Sequence, residues 1–174
     1  MEKSASLGPS LKGLRVREAV LHDIQRITEI HNQGIVDRES VLDITPYPLN
    51  QRLVWFKNLS EREAVIVAEV NGCVVGFSAL QPYSHDDVYA HVGVATVWVE
   101  KDFRGRGIGR SLARKTFSTA KKRGYRKLMF FAYCFNREKM GFYRKLGYEE
   151  VGIFKRHAKI GKRLADVLAM EYHL

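Results

Sequence analysis

The sequence predicts an α/β fold in which a mixed sheet carries helices on both faces. Three observations support this. Strand-like and helix-like runs interleave along the chain in the order β-α-α-β-β-β-α-β-α-β-β. AVIVAEV and CVVGFSAL flank Asn71-Gly72, the dipeptide that suits a two-residue type I′ hairpin. No apolar run approaches the ~18 residues that a bilayer span requires, so the apolar segments belong to a packed interior.

LRVRE (14–18) alternates like a strand. Ile24, Ile27 and Ile30 fall at helical spacing, which predicts an amphipathic helix over roughly 21–33. Pro46 and Pro48 punctuate a loop, and LNQRLVWFKNLS (49–60) reads as a second helix. The hairpin follows, then a polar and aromatic loop, YSHDDVYA (83–90). HVGVATVWV (91–99) is a strand, and 107–123 is a helix ended by Gly124. KLMFFAY (127–133) is a buried strand, REKMGFYRKL (137–146) a helix stopped at Gly147, and YEEVGIF and LADVLAMEY close as strands. The first 13 residues read as a flexible lead-in without the apolar stretch of a signal peptide, and 14–174 as one domain.

The apolar (45%) and charged (28%) fractions are those of an ordinary soluble globular protein. Cys73 and Cys134 make neither a disulfide framework nor a metal cluster, and a reducing, cytoplasmic setting is expected. The formal charge of +10 points to nucleic acid, an acidic partner or a polyanionic small molecule. Its cations crowd residues 101–127 and 155–163. A solvated helix face accounts for many of them, but not for Arg104 and Arg106, which sit in RGRGIGRSL (104–112) between a strand and a helix.

Backbone N–H groups at a helix start lack intrahelical partners, and the helix dipole draws anions to them. Gly105, Gly107 and Gly109 would let a phosphate approach those groups, while Arg104, Arg106 and Arg110 add charged donors. A P-loop is excluded because Arg110-Ser111, not Lys-Ser/Thr, follows Gly109. A dinucleotide fingerprint is excluded because the spacing is G-x-G-x-G and 125–135 holds no carboxylate.

Arg104-x-x-Gly107-x-Gly109 matches the R/Q-x-x-G-x-G/A signature of the GNAT superfamily of acetyl-CoA-dependent N-acetyltransferases, and VWVEKDFRGRGIGRSL resembles its fourth strand, pyrophosphate loop and third helix. NREKMGFYRKLGYEEVG resembles the family's N-x-x-x-x-x-x-Y/H-x-x-x-G-F/Y block after the fifth strand. IHNQGIVDRESVLDITPYPLNQRLVWF and KRLADVLAMEY are similar to the phosphinothricin acetyltransferase branch, whose members acetylate α-amino groups of amino-acid-like compounds. The resemblance covers about residues 14–174 and implies a GNAT-type, mostly antiparallel sheet. It further implies acetyl-CoA as cofactor, with backbone groups along Val97, Trp98 and Val99 on the pantetheine arm. Arg104, Gly105, Arg106, Gly107, Ile108, Gly109 and Arg110 would wrap the pyrophosphate, and Asn136 would contact the cofactor. Tyr143 takes the general-acid position near the sulfur; by residue type alone, Val97 and Val99 are also strand residues, Asn136 a helix cap and Tyr143 core.

The resemblance breaks at Val94, where the branch commonly has a glutamate base. Only the neutral amine attacks a thioester. An α-amino group, with pKa about 7.7–8.0, is roughly a tenth neutral at pH 7, whereas a lysine amine is neutral at only about 0.04%. That gap of ~2.5 units, about 3.4 kcal/mol, makes a site without a strong base suit α-amines. His91 is the candidate base, three residues from the vacant position. A regular strand would turn 91 and 94 to opposite faces and leave a surface histidine; a bulge would restore the aim. Asp86 and Asp87 would steer a cationic substrate, Glu100 should point away from the phosphates, and Cys134 reads as a small buried hydrophobe. The expected activity is therefore acetyl transfer to a primary amine by direct attack in a ternary complex, with a phosphinothricin- or methionine sulfoximine-like acceptor. Transfer to protein N-termini or lysines is the second reading and a basic nucleic-acid-binding module the third. No metal and no membrane are implied, and a homodimer is compatible.

Overall fold

The structure is a computed structural model that describes residues 12–39 and 43–174. Asn71 and Gly72 both take positive φ (51° and 85°), as a type I′ turn demands, so β2 (Ala64–Val70) returns directly as β3 (Cys73–Pro82). β1 (Leu14–Glu18), α1 (Ile24–Val36) and α2 (Leu49–Lys57) precede this hairpin; β4 (Val92–Val99), α3 (Ile108–Lys122), β5 (Lys127–Tyr133), α4 (Arg137–Leu146), β6 (Glu149–Ile160) and β7 (Arg163–His173) follow it. The strands form one seven-stranded sheet in the order β1-β2-β3-β4-β5-β7-β6, antiparallel except between β4 and β5.

The unbroken apolar run of β2 follows from burial on both faces. Val65 and Val67 pack with Ile24, Ile27 and Ile30 of α1, whereas Ile66 and Ala68 pack with Ile108 and Leu112 of α3. α4 lies on the α3 side, where Met140 and Tyr143 join Leu128 and Phe130. The predicted α/β class and two-sided helix cover are both present.

The parallel pairing is short. β4 and β5 are joined from Val92–Lys127 to Val94–Met129 and then part, although both strands continue. The resulting split in mid-sheet positions the site described below.

Three elements differ from expectation. α1 begins at Ile24, after a 3-10 turn over Leu21–Asp23, and runs on to Val36. α2 ends at Lys57, where Asn58 stops it. β6 runs on to Ile160 through KRHAKI, a polar stretch of which only Ala158 and Ile160 are half-buried. Its order comes from pairing to Arg163–Ala165 and from Asp166, which accepts from the Arg156 backbone N–H (2.7 Å) and from Lys155 (3.1 Å). Of the expected lead-in, residues 1–11 lie outside the described residues, and Lys12 and Gly13 form a turn into β1.

Candidate active site

At the end of β4 a short 3-10 turn, Lys101–Phe103, delivers the chain to the glycine corner. Gly105 and Gly107 have φ of 74° and 82°, a region that disfavours side chains, and a Cβ at either would meet nothing within 4 Å. The corner is thus open as well as left-handed. Ser111 N–H bonds back to the Gly107 carbonyl at 3.1 Å, so the α3 ladder begins there and the N–H groups of Ile108, Gly109 and Arg110 have no intrahelical acceptor. Gly109 has a different reason to be glycine: a Cβ would sit 3.0 Å from the Phe142 ring, so it lets α3 pack on α4.

The three arginines separate. Arg106 and Arg110 are exposed, with the Arg106 guanidinium over the Phe103 ring at 5.5 Å. Arg104 turns inward instead, its Nε donating to the Val99 carbonyl (2.9 Å) and its fork to Glu39 (2.7 Å), and so braces the corner against the end of α1. Glu100 accepts from Arg26 at 2.9 Å, directed at α1 and away from the corner as expected.

In the split, the Val97 N–H donates to the Tyr143 hydroxyl (3.0 Å) and the Val99 carbonyl accepts from Arg104. Both groups therefore face the side that β5 has left. Trp98 instead sits opposite Phe77 of β3. The open corner, the unpaired first-turn N–H groups and this backbone edge fit the pyrophosphate and pantetheine of acetyl-CoA. Asn136 caps α4, its Oδ1 accepting the Lys139 N–H at 3.1 Å.

Tyr143 is 1% exposed and stacks on Phe130 with centroids 3.4 Å apart. Burial pushes its pKa well above the ordinary phenol value, so it stays protonated near neutrality. Its oxygen accepts from Val97, and among the described residues nothing accepts its own proton.

Beside the split, on the α1–α2 face, lies a cavity of about 310 Å³. Val94, Thr96 and Trp98 form its floor together with Phe130 and Phe131, so Tyr143 stands behind one wall. Val94 is thus part of the cavity lining. His91 is not: β4 is regular against β3 from Gly93 to Val99, with no bulge, and His91 is exposed outside the cavity. Asp86 and Asp87 are also exposed outside it. Cys134 is half-buried against the core.

The opposite wall holds side chains that sequence reasoning missed. Asp43 accepts the Tyr47 hydroxyl and lies 3.4 Å from His31 Nε2. The Tyr47 bond and its burial raise the phenol to about 12; burial holds His31 below its ordinary value, hence neutral at pH 7. Lys139 Nζ donates to the Glu39 carbonyl (3.1 Å), lies 3.6 Å from the Trp98 ring centroid, and is lowered by burial to about 8. Arg52 of α2 completes the set, stacked 4.0 Å from the Trp55 ring centroid. His31, Asp43, Tyr47 and Arg52 lie in the 30–56 segment and Lys139 in the 136–152 segment that carry the family resemblance, but no motif there singles them out. Among the described residues, no three His, Cys, Asp or Glu side chains come together to hold a metal ion, and no helix is long and apolar enough to cross a membrane.

Known proteins bear on this geometry. YwnH of Bacillus subtilis strain 168, which carries a provisional phosphinothricin acetyltransferase name, is 27% identical over 86% of this chain and 93% of its own length. A ribosomal-protein-alanine N-acetyltransferase from Brucella melitensis superposes with a TM-score of 0.86 at 27% identity, covering 92% of this chain and 99% of its own. A phosphinothricin acetyltransferase from Sinorhizobium meliloti, solved in complex with acetyl-CoA, has the same fold, with a TM-score of 0.83 at 22% identity over 93% of this chain and 89% of its own. The profile of the acetyltransferase (GNAT) family matches residues 26–148. The chain belongs to the acetyltransferase (GNAT) family and is an N-acetyltransferase that uses acetyl-CoA.

Proposed function

We propose that the protein acetylates the α-amino group of an amino-acid-like small molecule, of the phosphinothricin or methionine sulfoximine type, by direct attack in a ternary complex. The observation that carries this reading is the acceptor cavity. At about 310 Å³ it is at the small end of ligand pockets, and it holds Asp43, Arg52 and Lys139 in one enclosure, as a zwitterion requires. The names of the relatives in the phosphinothricin acetyltransferase branch point the same way. The free cysteines suit a reducing, cytoplasmic setting.

Acetyl-CoA supplies an acetyl thioester activated toward amines. The corner from Gly105 to Arg110 holds its pyrophosphate by backbone N–H groups, with Arg106 and Arg110 as screening cations, while Arg104 acts through the loop it braces. The β4 edge at Val97 and Val99 orients the arm beside the cavity, with Asn136 holding the α4 start in place. Tyr143 gives a hydrogen bond or its proton to the departing sulfur, and burial keeps its hydroxyl protonated and available as a donor. The carboxylate absent at Val94 is offered from the facing wall by Asp43, which holds the amine. The ammonium must lose a proton before it attacks, and Asp43 is the carboxylate placed to take it.

The Brucella melitensis relative supports a second reading, acetylation of protein N-termini. Family membership explains the corner without nucleic acid. Thiol release from acetyl-CoA separates the readings, with free amino acids (phosphinothricin and methionine sulfoximine included) run against tripeptides and lysine-like amines. Free amino acids should turn over fastest; tripeptides faster than every free amino acid would overturn the proposal.

A further inference from the structure

Arg52 is the one buried residue of α2, at 8% exposure, and among the described residues no carboxylate forms an ion pair with it. Its guanidinium carbon lies 4.0 Å from the Trp55 ring centroid and 5.1 Å from that of Tyr47, so aromatic rings fix its place. No carbonyl among those residues accepts from it either, and its Nε is buried without a partner. A buried guanidinium left unpaired is costly, and packing alone would be served better by leucine or methionine. The group lines the acceptor cavity, where burial also lowers its pKa.

We infer that Arg52 is the subsite for the acceptor's α-carboxylate. A guanidinium presents a planar fork of donors that matches a carboxylate in two parallel hydrogen bonds, and ring contacts organise the fork before the ligand arrives. Asp43 shares the cavity, engaged by Tyr47 and His31. In an α-amino acid the ammonium and carboxylate are attached to one carbon. A ligand with its carboxylate on Arg52 therefore has its amine close by, toward Asp43 and the β4 floor. Lys139 is committed to the Glu39 carbonyl and the Trp98 face, which leaves Arg52 as the cavity's carboxylate clamp. A peptide N-terminus carries an amide where this carboxylate would be, and would leave the guanidinium unpaired. Arg52 thus selects free amino acids over peptides. This deepens the amino-acid reading and rests on it.

The test compares the best amino-acid acceptor of the panel with its own α-amide, by thiol release at saturating acetyl-CoA. The wild type should favour the acid by about 100-fold or more in kcat/KM, the scale for losing one partner of a buried charge pair. In Arg52→Met the preference should fall below about tenfold, chiefly through the acceptor KM, with acetyl-CoA binding unchanged. Arg52→Lys, which keeps charge and loses the fork, should fall between. A wild type that uses the amide as well as the acid overturns the assignment without any variant. So does a strong preference that persists in Arg52→Met, or in Arg52→Gln should the methionine variant not fold. If no free amino acid is acetylated while tripeptides are, the amino-acid reading itself is wrong and the subsite falls with it.

Discussion

The two ends of the site are built from different material. The glycine corner is contiguous, seven residues from 104 to 110, and works through backbone groups at a helix start. The cavity proposed for the acceptor draws His31 from α1, Asp43 and Tyr47 from the following loop, Arg52 from α2, Val94 from β4 and Lys139 from α4, and would work through side chains. A backbone device must keep its local spacing to function, whereas a side-chain device can exchange one wall for another. On the proposed function Val94 and Asp43 are such an exchange: the resemblance puts a carboxylate where the floor has Val94, and the facing wall offers Asp43 instead.

The largest expected effect breaks the corner. Gly107→Val puts a branched side chain at φ 82° in the open space at the start of α3. Calorimetry should show CoA affinity reduced by about 100-fold or more while the fold persists, since strain and lost anion contacts add. Unchanged affinity would remove the corner from the cofactor site. Next is Tyr143→Phe, which should lower kcat by about 10- to 100-fold with little change in the KM for acetyl-CoA, because the lost bond strengthens only as the sulfur departs. A kcat within twofold would make Tyr143 a packing residue.

These first two effects concern residues already legible in the sequence. The strand-turn-helix context of the corner, the Asn71-Gly72 hairpin and the helix stop at Gly147 are all set by neighbours along the chain. The fold class and the candidate cofactor corner could therefore be read locally. Arg104 shows the limit: its type and spacing suggest a phosphate ligand, but Glu39, 65 residues away, holds its guanidinium. Asp43 and Arg52 lie in the 30–56 segment that resembles the branch, but no spacing there marks them, because what brings them together is the cavity they share. Nearness along the chain favours His91 as the base, and the regular register of β4 turns it away from Val94.

Smaller effects sharpen the view of the cavity. Val94→Glu, which puts a carboxylate in the floor, should raise the rate a few-fold at pH 7 and less at pH 9, where more of the acceptor amine is already neutral. An equal gain at both pH values would mean that proton removal was never limiting. A rate that falls at every pH in His91→Ala, with the fold intact, would return the base to His91.

The smallest effect is on stability. Burial lowers Lys139 from 10.5 to about 8, so between those values the unfolded chain binds the extra proton and the folded one does not. Stability contributed by this group therefore rises as pH rises from 8 to 10.5, by about 1–3 kcal/mol. Urea midpoints across that window should climb more in the wild type than in Lys139→Met, and parallel curves would place Lys139 in water.

The division between a backbone donor site and a side-chain acceptor site is tested most directly by two-substrate kinetics on one variant from each end. Gly107→Val should raise the KM for acetyl-CoA and leave that of the amino acid within about twofold, and Arg52→Met should do the reverse. If each variant moved both constants together, the two ends would be one cooperative site and the division between them would be contradicted.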